Sequence, residues 1–265
     1  MTERAVAALT DLKADLDHLI HALSDEMWVR PSGCRGWTVR DVVAHLAASA
    51  HNFVDPEPEP EGTRLPVDRE RQHDVFVERR RDLPVAAVVD EYLSYSSSLI
   101  RALAGLQAEP KASKVVSVPG LGSYPLHALA NGMAFDYHCH LHHDLLVPRG
   151  PLSVQVELRD DAVRSAVEWM FMGLPQMQGE ELAESLSVPV CFELSGSGDG
   201  VWTILRPDPA GMLVVEEGRH SGTVVRSDAH AFVAWGTKRC DWRGHCQIDG
   251  DLVAAGIFLD ALDIV

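Results

Sequence analysis

The chain has 265 residues, with 23 Lys plus Arg against 39 Asp plus Glu and a formal charge of −16. A surface this acidic repels phosphate backbones and anionic lipid, which argues against nucleic acid and membrane surfaces as partners. No window reaches the roughly 18 to 20 apolar residues of a membrane span, and the charged start "MTERAVAALTDLKADLDHLI" lacks the apolar stretch of a secretion signal, so a cytoplasmic protein is expected.

The first half reads as helices. In "TERAVAALTDLKADLDHLIHALSDE" the spacing of Val6, Leu9, Leu12, Leu16, Leu19 and Leu23 predicts one amphipathic helix. Pro31, Gly33 and Gly36 break it, and "TVRDVVAHLAASAHNF" restarts it with Thr38 and Asp41 placed as a capping box. "DPEPEPEGTRLP" is expected to be an acidic surface loop. Helices are expected from about Asp68 to Arg81 and from Leu83 to Leu106, with Pro84 near the first turn of the second. "SVPGLGSYP" reads as a loop before a helix from Leu126 to Leu145.

After "VPRGPL" the texture changes. "RDDAVRSAVEWMFMGL" predicts a helix, and "VPVCFELSG", "GVWTILRPD" and "GMLVVEEG" predict short strands between turn signals. "SDAHAFVAWGTKR" and "GDLVAAGIFLDAL" read as helices. Helices first and a mixed segment second argue for an α+β chain of two domains joined near Pro148 to Pro151. The five cysteines, Cys34, Cys139, Cys191, Cys240 and Cys246, are odd in number and form no C-x-x-C pair. They predict neither a disulfide framework nor a thiolate zinc knot, but free thiols acting as small apolar residues.

"FDYHCHLHHDLL", from Phe135 to Leu146, concentrates metal-binding side chains. Ligand pairs on a helix come at i and i+4, which offers Asp136 with His140, His138 with His142, and Cys139 with His143. Positions 136 and 138 stand about 200° apart around the axis, so the first two pairs cannot share an ion. Leu126, Leu129 and Met133 lead in helical steps to Asp136, His140 and Asp144, whereas His138 and His142 continue the row of Asn131 and Ala134, which reads as the outer side. A carboxylate and an imidazole facing inward need each other or a metal, and both readings remain open at this point. A third ligand must come from another helix, and His45, in register with Val42 and Ser49, is the best placed; His18, His21 and His51 lie nearer polar faces or helix ends.

The blocks "RPSGCRGWTVRDVVAHL", "AFDYHCHLHHDLLVPRG" and "VVRSDAHAFVAWGTKRCDWRG…IDGDLVAAGIFLDAL", in this order, resemble the mycothiol-dependent maleylpyruvate isomerase family of DinB-like bundle proteins. The resemblance implies a DinB-like four-helix bundle over residues 1–150 and a small α/β domain similar to sterol-carrier folds over 151–265. It implies a divalent metal, usually zinc, held by His45, Asp136 and His140, and it puts Arg239 of "WGTKR" near the site as a catalytic and cofactor-binding residue, with Arg35 the weaker alternative. Two departures stand out. The founding isomerase carries glutamate where this chain has Asp136. An aspartate usually follows the family's histidine by three residues, but Asp144 follows His140 by four, which points to a local bulge or to a switch to His138 and His142.

Three protein ligands and an open fourth position describe a catalytic zinc. A coordinated thiol loses its proton near neutral pH, and the resemblance supplies mycothiol, a low-molecular-weight thiol of actinobacteria. Its thiolate would attack a small-molecule electrophile, for S-transfer or for cis–trans isomerisation of the maleylpyruvate type, with Arg239 gripping a carboxylate through its fork of donors. The expected assembly is a monomer or homodimer. The alternatives are a non-catalytic metal-binding or regulatory module, and a metal-dependent hydrolase for which no general base is evident.

Overall fold

The computed structural model describes residues 2–56, 69–208, 211–220 and 222–264. Helix α1 (Glu3–Ala22) buries Leu9, Leu12, Leu16 and Leu19 on one side, as their spacing predicts. It ends before the expected Glu26 because Leu23 and Ser24 turn extended, and a short α2 (Asp25–Trp28) follows, burying Trp28. The Pro31–Trp37 segment doubles back, with the Ser32 N–H donating to the Trp37 carbonyl at 2.9 Å. Helix α3 (Val39–Val54) then starts at a complete capping box: the Thr38 hydroxyl accepts from the Asp41 N–H, and the Asp41 carboxylate accepts from the Thr38 N–H at 2.9 Å.

Helix α4 (Arg69–Glu78) leads to α5 (Val85–Ala104), whose Pro84 stands just ahead of the first turn, where a missing N–H costs nothing. Of the expected acidic loop, residues 57–66 lie outside the described residues. "SVPGLGSYP" is not a plain loop. It forms most of a hairpin of β1 (Val115–Val118) and β2 (Gly122–Pro125), turned through Gly120 at φ 76°. Four-residue strands are too short to show an alternation against such turn-rich flanks.

The last bundle segment is not one uniform helix either. A 3-10 turn (Leu126–Ala128) opens it, α6 (Leu129–Cys139) follows, and a π-helical turn (His140–Leu145) closes it. Its signature is the Leu146 N–H donating to the Leu141 carbonyl five residues back, at 3.1 Å. Helix α3 packs on α5, α1 packs on both α5 and α6, and the π turn returns to α3, which closes the four helices into a bundle. The row expected to face outward is buried instead, with Asn131, Ala134 and His138 each at most 1% exposed, while Leu126, Leu129 and Met133 are only half-buried. Ala130, Ala134, Phe135 and Tyr137 give α6 apolar or small residues on several sides, so periodicity alone could not choose its inner face.

The chain divides into two compact units, Met1–Gly120 with Tyr124–Glu157, and Leu121–Ser123 with Leu158–Val265. The second contains α7 (Asp160–Met177), α8 (Gly179–Ser185), β3 (Val190–Ser195), β4 (Gly200–Leu205), β5 (Val214–Glu217), β6 (Thr223–Asp228), α9 (Ala229–Gly236), β7 (Gln247–Asp249) and α10 (Leu252–Ala261). Its five strands run in the order β5-β4-β3-β6-β7, with β3 and β6 parallel and the other neighbours antiparallel. Phe192 on the central strand meets the rings of Phe171, Phe232, Trp235 and Phe258, which forms the core of this unit. Ser227 and Asp228, expected to begin a helix, end β6 instead, and the Asp228 carboxylate caps α9 by accepting from the Ala231 N–H at 2.9 Å. The architecture is α+β, a helical bundle followed by a sheet unit. None of the five cysteines is in a disulfide. Among the described residues no helix is long and apolar enough to cross a membrane.

Candidate metal centre

The site grows from two helices of the bundle. His45 lies in the middle of α3, where Val42, Val43 and Leu46 bury that stretch completely and carry the imidazole with it to 3% exposure. Asp136 and His140 stand one turn apart at the end of α6, the second at the first position of the π turn. The His45 Nε2 lies 3.2 Å from the Asp136 Oδ1, and the His140 Nε2 lies 3.4 Å from the same oxygen. The ligating atoms of all three residues fall within 4.8 Å of one another.

These separations suit a shared cation. Nitrogen and oxygen atoms bound tetrahedrally to one zinc stand about 3.4 Å apart. The His45 and His140 rings meet edge to face at 4.6 Å between centroids, which leaves both nitrogens aimed at the carboxylate rather than at each other. Asp136 keeps 25% of its side chain exposed, the most of the three. The aspartate, one methylene shorter than glutamate, still reaches both imidazoles.

The charges on these groups depend on one another. Burial alone would raise the Asp136 carboxyl, but the field of His45 and the hydrogen bonds from both imidazoles hold it well below the usual carboxylate range. Burial alone would lower His140. Hydrogen bonds to Asp136, Asp144 and Cys34 outweigh that and hold it well above an ordinary imidazole. Both shifts favour a charged His140 between two carboxylates, a charge pattern that a divalent ion would replace.

Four further residues complete the surroundings. The His140 Nδ1 lies 3.0 Å from the Asp144 Oδ2 and 3.7 Å from the Cys34 Sγ. Asp144 falls on the same row as His140, as the four-residue spacing predicts, and the π turn carries the pair. Trp37 lies against both imidazoles, with centroids 5.2 Å from His45 and 6.2 Å from His140, and the His73 ring meets His45 edge-on at 4.5 Å. Nothing in the sequence marks Trp37 or His73, and Cys34 reads there as a free thiol acting as a small apolar residue, whereas its Sγ lies beside His140. Cys34 and Trp37 sit in the break before α3 and His73 in the charge-rich α4, so no periodicity marks them.

The remaining candidates separate clearly. His138 and His142 are both buried, with centroids 4.8 Å apart, but among the described residues His142 joins no trio of converging ligand atoms. His51 stacks on Tyr95 at 3.8 Å, and its Nδ1 bonds Glu91 at 2.6 Å, a structural role. Arg35 is exposed. Arg239 is half-buried and follows α9 through Lys238 in the left-handed region at φ 54°, its own N–H donating to the Ala234 carbonyl at 2.9 Å.

Comparison with known proteins bears on the fold and the family. Two solved structures are similar in fold, the mycothiol-dependent maleylpyruvate isomerase and an alanine variant of it. The variant superposes with a TM-score of 0.57 at 12% identity, covering 94% of this chain and 92% of its own. The unsubstituted protein superposes with a TM-score of 0.55 at the same identity and coverage. No curated protein matches the chain. The family model described as the mycothiol maleylpyruvate isomerase N-terminal domain matches residues 9–145, more than half of the 265. The chain belongs to that family.

Proposed function

We propose that the chain is a metal-dependent enzyme that uses mycothiol against a small electrophile, by thiol S-transfer or by cis–trans isomerisation of the maleylpyruvate type. The observation that carries this reading is the convergence of His45, Asp136 and His140 on one point, with Asp136 the most exposed of the three. Two neutral imidazoles and one carboxylate form a donor set that suits zinc and leaves a fourth position for a thiol. Bound there, the ion would favour the thiolate form of that thiol near neutral pH.

The protein's own residues supply the rest. Asp144 accepts from His140 Nδ1, which fixes the tautomer and presents the Nε2 lone pair to the ion. Asp136 contributes the one negative charge among the three ligands, so a divalent ion with these ligands would keep one net positive charge to attract an anionic thiol. Trp37 lies against the two imidazoles. Arg239 is assigned the carboxylate of the substrate or of the thiol, which its planar fork fits in a bidentate manner.

The test is cobalt-loaded protein titrated with mycothiol. A new sulfur-to-cobalt absorption that disappears in Asp136→Ala, together with turnover of maleylpyruvate or of a thiol-reactive electrophile, supports the proposal. Loaded protein with no spectral response to any low-molecular-weight thiol overturns it and favours a module that binds metal without turnover.

A further inference from the structure

His140 presents both ring nitrogens to acidic partners, and only Nε2 is used by the proposed centre. On the Nδ1 side stand the Cys34 Sγ at 3.7 Å and the Asp144 Oδ2 at 3.0 Å, with all three ligating atoms within 4.8 Å of one another. Sulfur and nitrogen bound tetrahedrally to one zinc stand about 3.6 Å apart, and nitrogen and oxygen about 3.4 Å. From this geometry we infer that Cys34, His140 and Asp144 form a second cation position, thiolate-bearing and suited to a soft divalent ion such as zinc or cadmium.

The supporting frame is rigid. The loop that carries Cys34 is tied to the π turn by the Gly33 N–H, which donates to the Asp144 carbonyl at 2.8 Å. The approach is so close that a Cβ on Gly33 would lie 2.8 Å from the His143 carbonyl oxygen and 2.9 Å from the Asp144 Cα. Arg149 donates to the Gly33 carbonyl at 2.7 Å and reaches the Asp144 Oδ1 at 3.8 Å, which leaves Oδ2 as the oxygen that faces the ring and the thiol. The Cys34 N–H bonds the Ser32 hydroxyl at 3.2 Å, and its carbonyl accepts from the Trp37 N–H at 3.1 Å, so the loop is fixed on both sides of the thiol. Asp144 itself is wholly buried and Cys34 is half-buried, so an ion enters past the sulfur.

Thiolate, carboxylate and imidazole form a softer set than the first site offers, since sulfur selects zinc or cadmium over magnesium or calcium. On binding, the Cys34 thiol proton and the Nδ1 proton pass to solvent. With both positions filled, the His140 ring bridges two ions. The second position shares His140 with the proposed first site but stands without it, because His45 and Asp136 belong only to the first.

The test uses the full chain, stripped of metal and titrated with cobalt in buffer free of any low-molecular-weight thiol. The expected result is two equivalents bound, one of them accompanied by near-ultraviolet sulfur-to-cobalt absorption. In Cys34→Ser the absorption disappears and binding falls to one equivalent. In His45→Ala the absorption stays while the other equivalent weakens at least tenfold, so failure of the first site and failure of the second are told apart. Zinc-edge X-ray absorption of the unsubstituted protein at two equivalents supplies a readout that needs no variant, with sulfur expected in the averaged shell. Saturation at one equivalent without sulfur absorption, absorption that survives in Cys34→Ser, or a sulfur-free zinc shell would each overturn the inference.

Discussion

The Nδ1 of His140 lies 3.0 Å from the Oδ2 of Asp144, four residues further on across a π-helical turn. Such a carboxylate behind a metal-facing imidazole fixes ring orientation and raises ligand basicity. Replacing Asp144 with Asn keeps the shape but removes the charge. Affinity at the His45–Asp136–His140 site is expected to fall roughly 10- to 100-fold, measured by competition with a chromophoric chelator. Unchanged affinity would mean that Asp144 does not tune the His45–Asp136–His140 site.

Metal binding should tighten as pH rises. In the metal-free protein the His140 pKa is raised, chiefly against its own burial by bonds to Asp136 and Asp144. The stability this gives is full below the unfolded value near 6.5 and is lost as pH climbs through the raised folded value. An ion needs the neutral ring, so it binds in competition with that proton. Calorimetry in buffers of different ionisation enthalpy is expected to report proton release on binding near pH 7. Release of no proton would contradict the assignment.

Away from the site, Glu91 joins Arg80 and His51. The Arg80 Nη2 and the His51 Nδ1 both lie 2.6 Å from its Oε1. Burial alone would raise the Glu91 carboxyl, but the hydrogen bonds from Arg80 and His51 prevail and lower it. Its stabilisation is therefore present above the ordinary value of 4.5 and is lost as pH falls through the lowered folded value. Glu91→Gln is expected to cost about 1–3 kcal/mol at pH 7. Urea denaturation should show the gap between variant and parent closing below pH 4.5.

In the sheet unit, Phe192 is fully buried among Phe171, Phe232, Trp235 and Phe258. Phe192→Ala should destabilise by about 3–5 kcal/mol, because the surrounding rings close the cavity only in part. A separate, later unfolding transition for the bundle in the same variant would show that the two units melt independently.

Local signals were legible and non-local ones were not. The capping box at Thr38 and Asp41, the position of Pro84 and the three strands from Val190 to Glu217 follow from short-range chemistry, and they were read from sequence. The convergence of Asp136 with His140 was read from helical spacing, though the stripe that suggested it is only half-buried. The π turn was visible only as an aspartate one residue too far from its histidine. Cys34, Trp37 and His73 reach the centre through loop geometry and helix packing, which no periodicity encodes. Strands β6 and β7 carry no such local signal. The first runs directly into α9, and the second is only three residues long.

A diffraction map at the zinc absorption edge tests the account most directly. An anomalous peak is expected about 2.0–2.2 Å from the His45 Nε2, the Asp136 Oδ1 and the His140 Nε2 together. A zinc-soaked crystal with no peak touching His45, or with these three side chains turned apart, would contradict it.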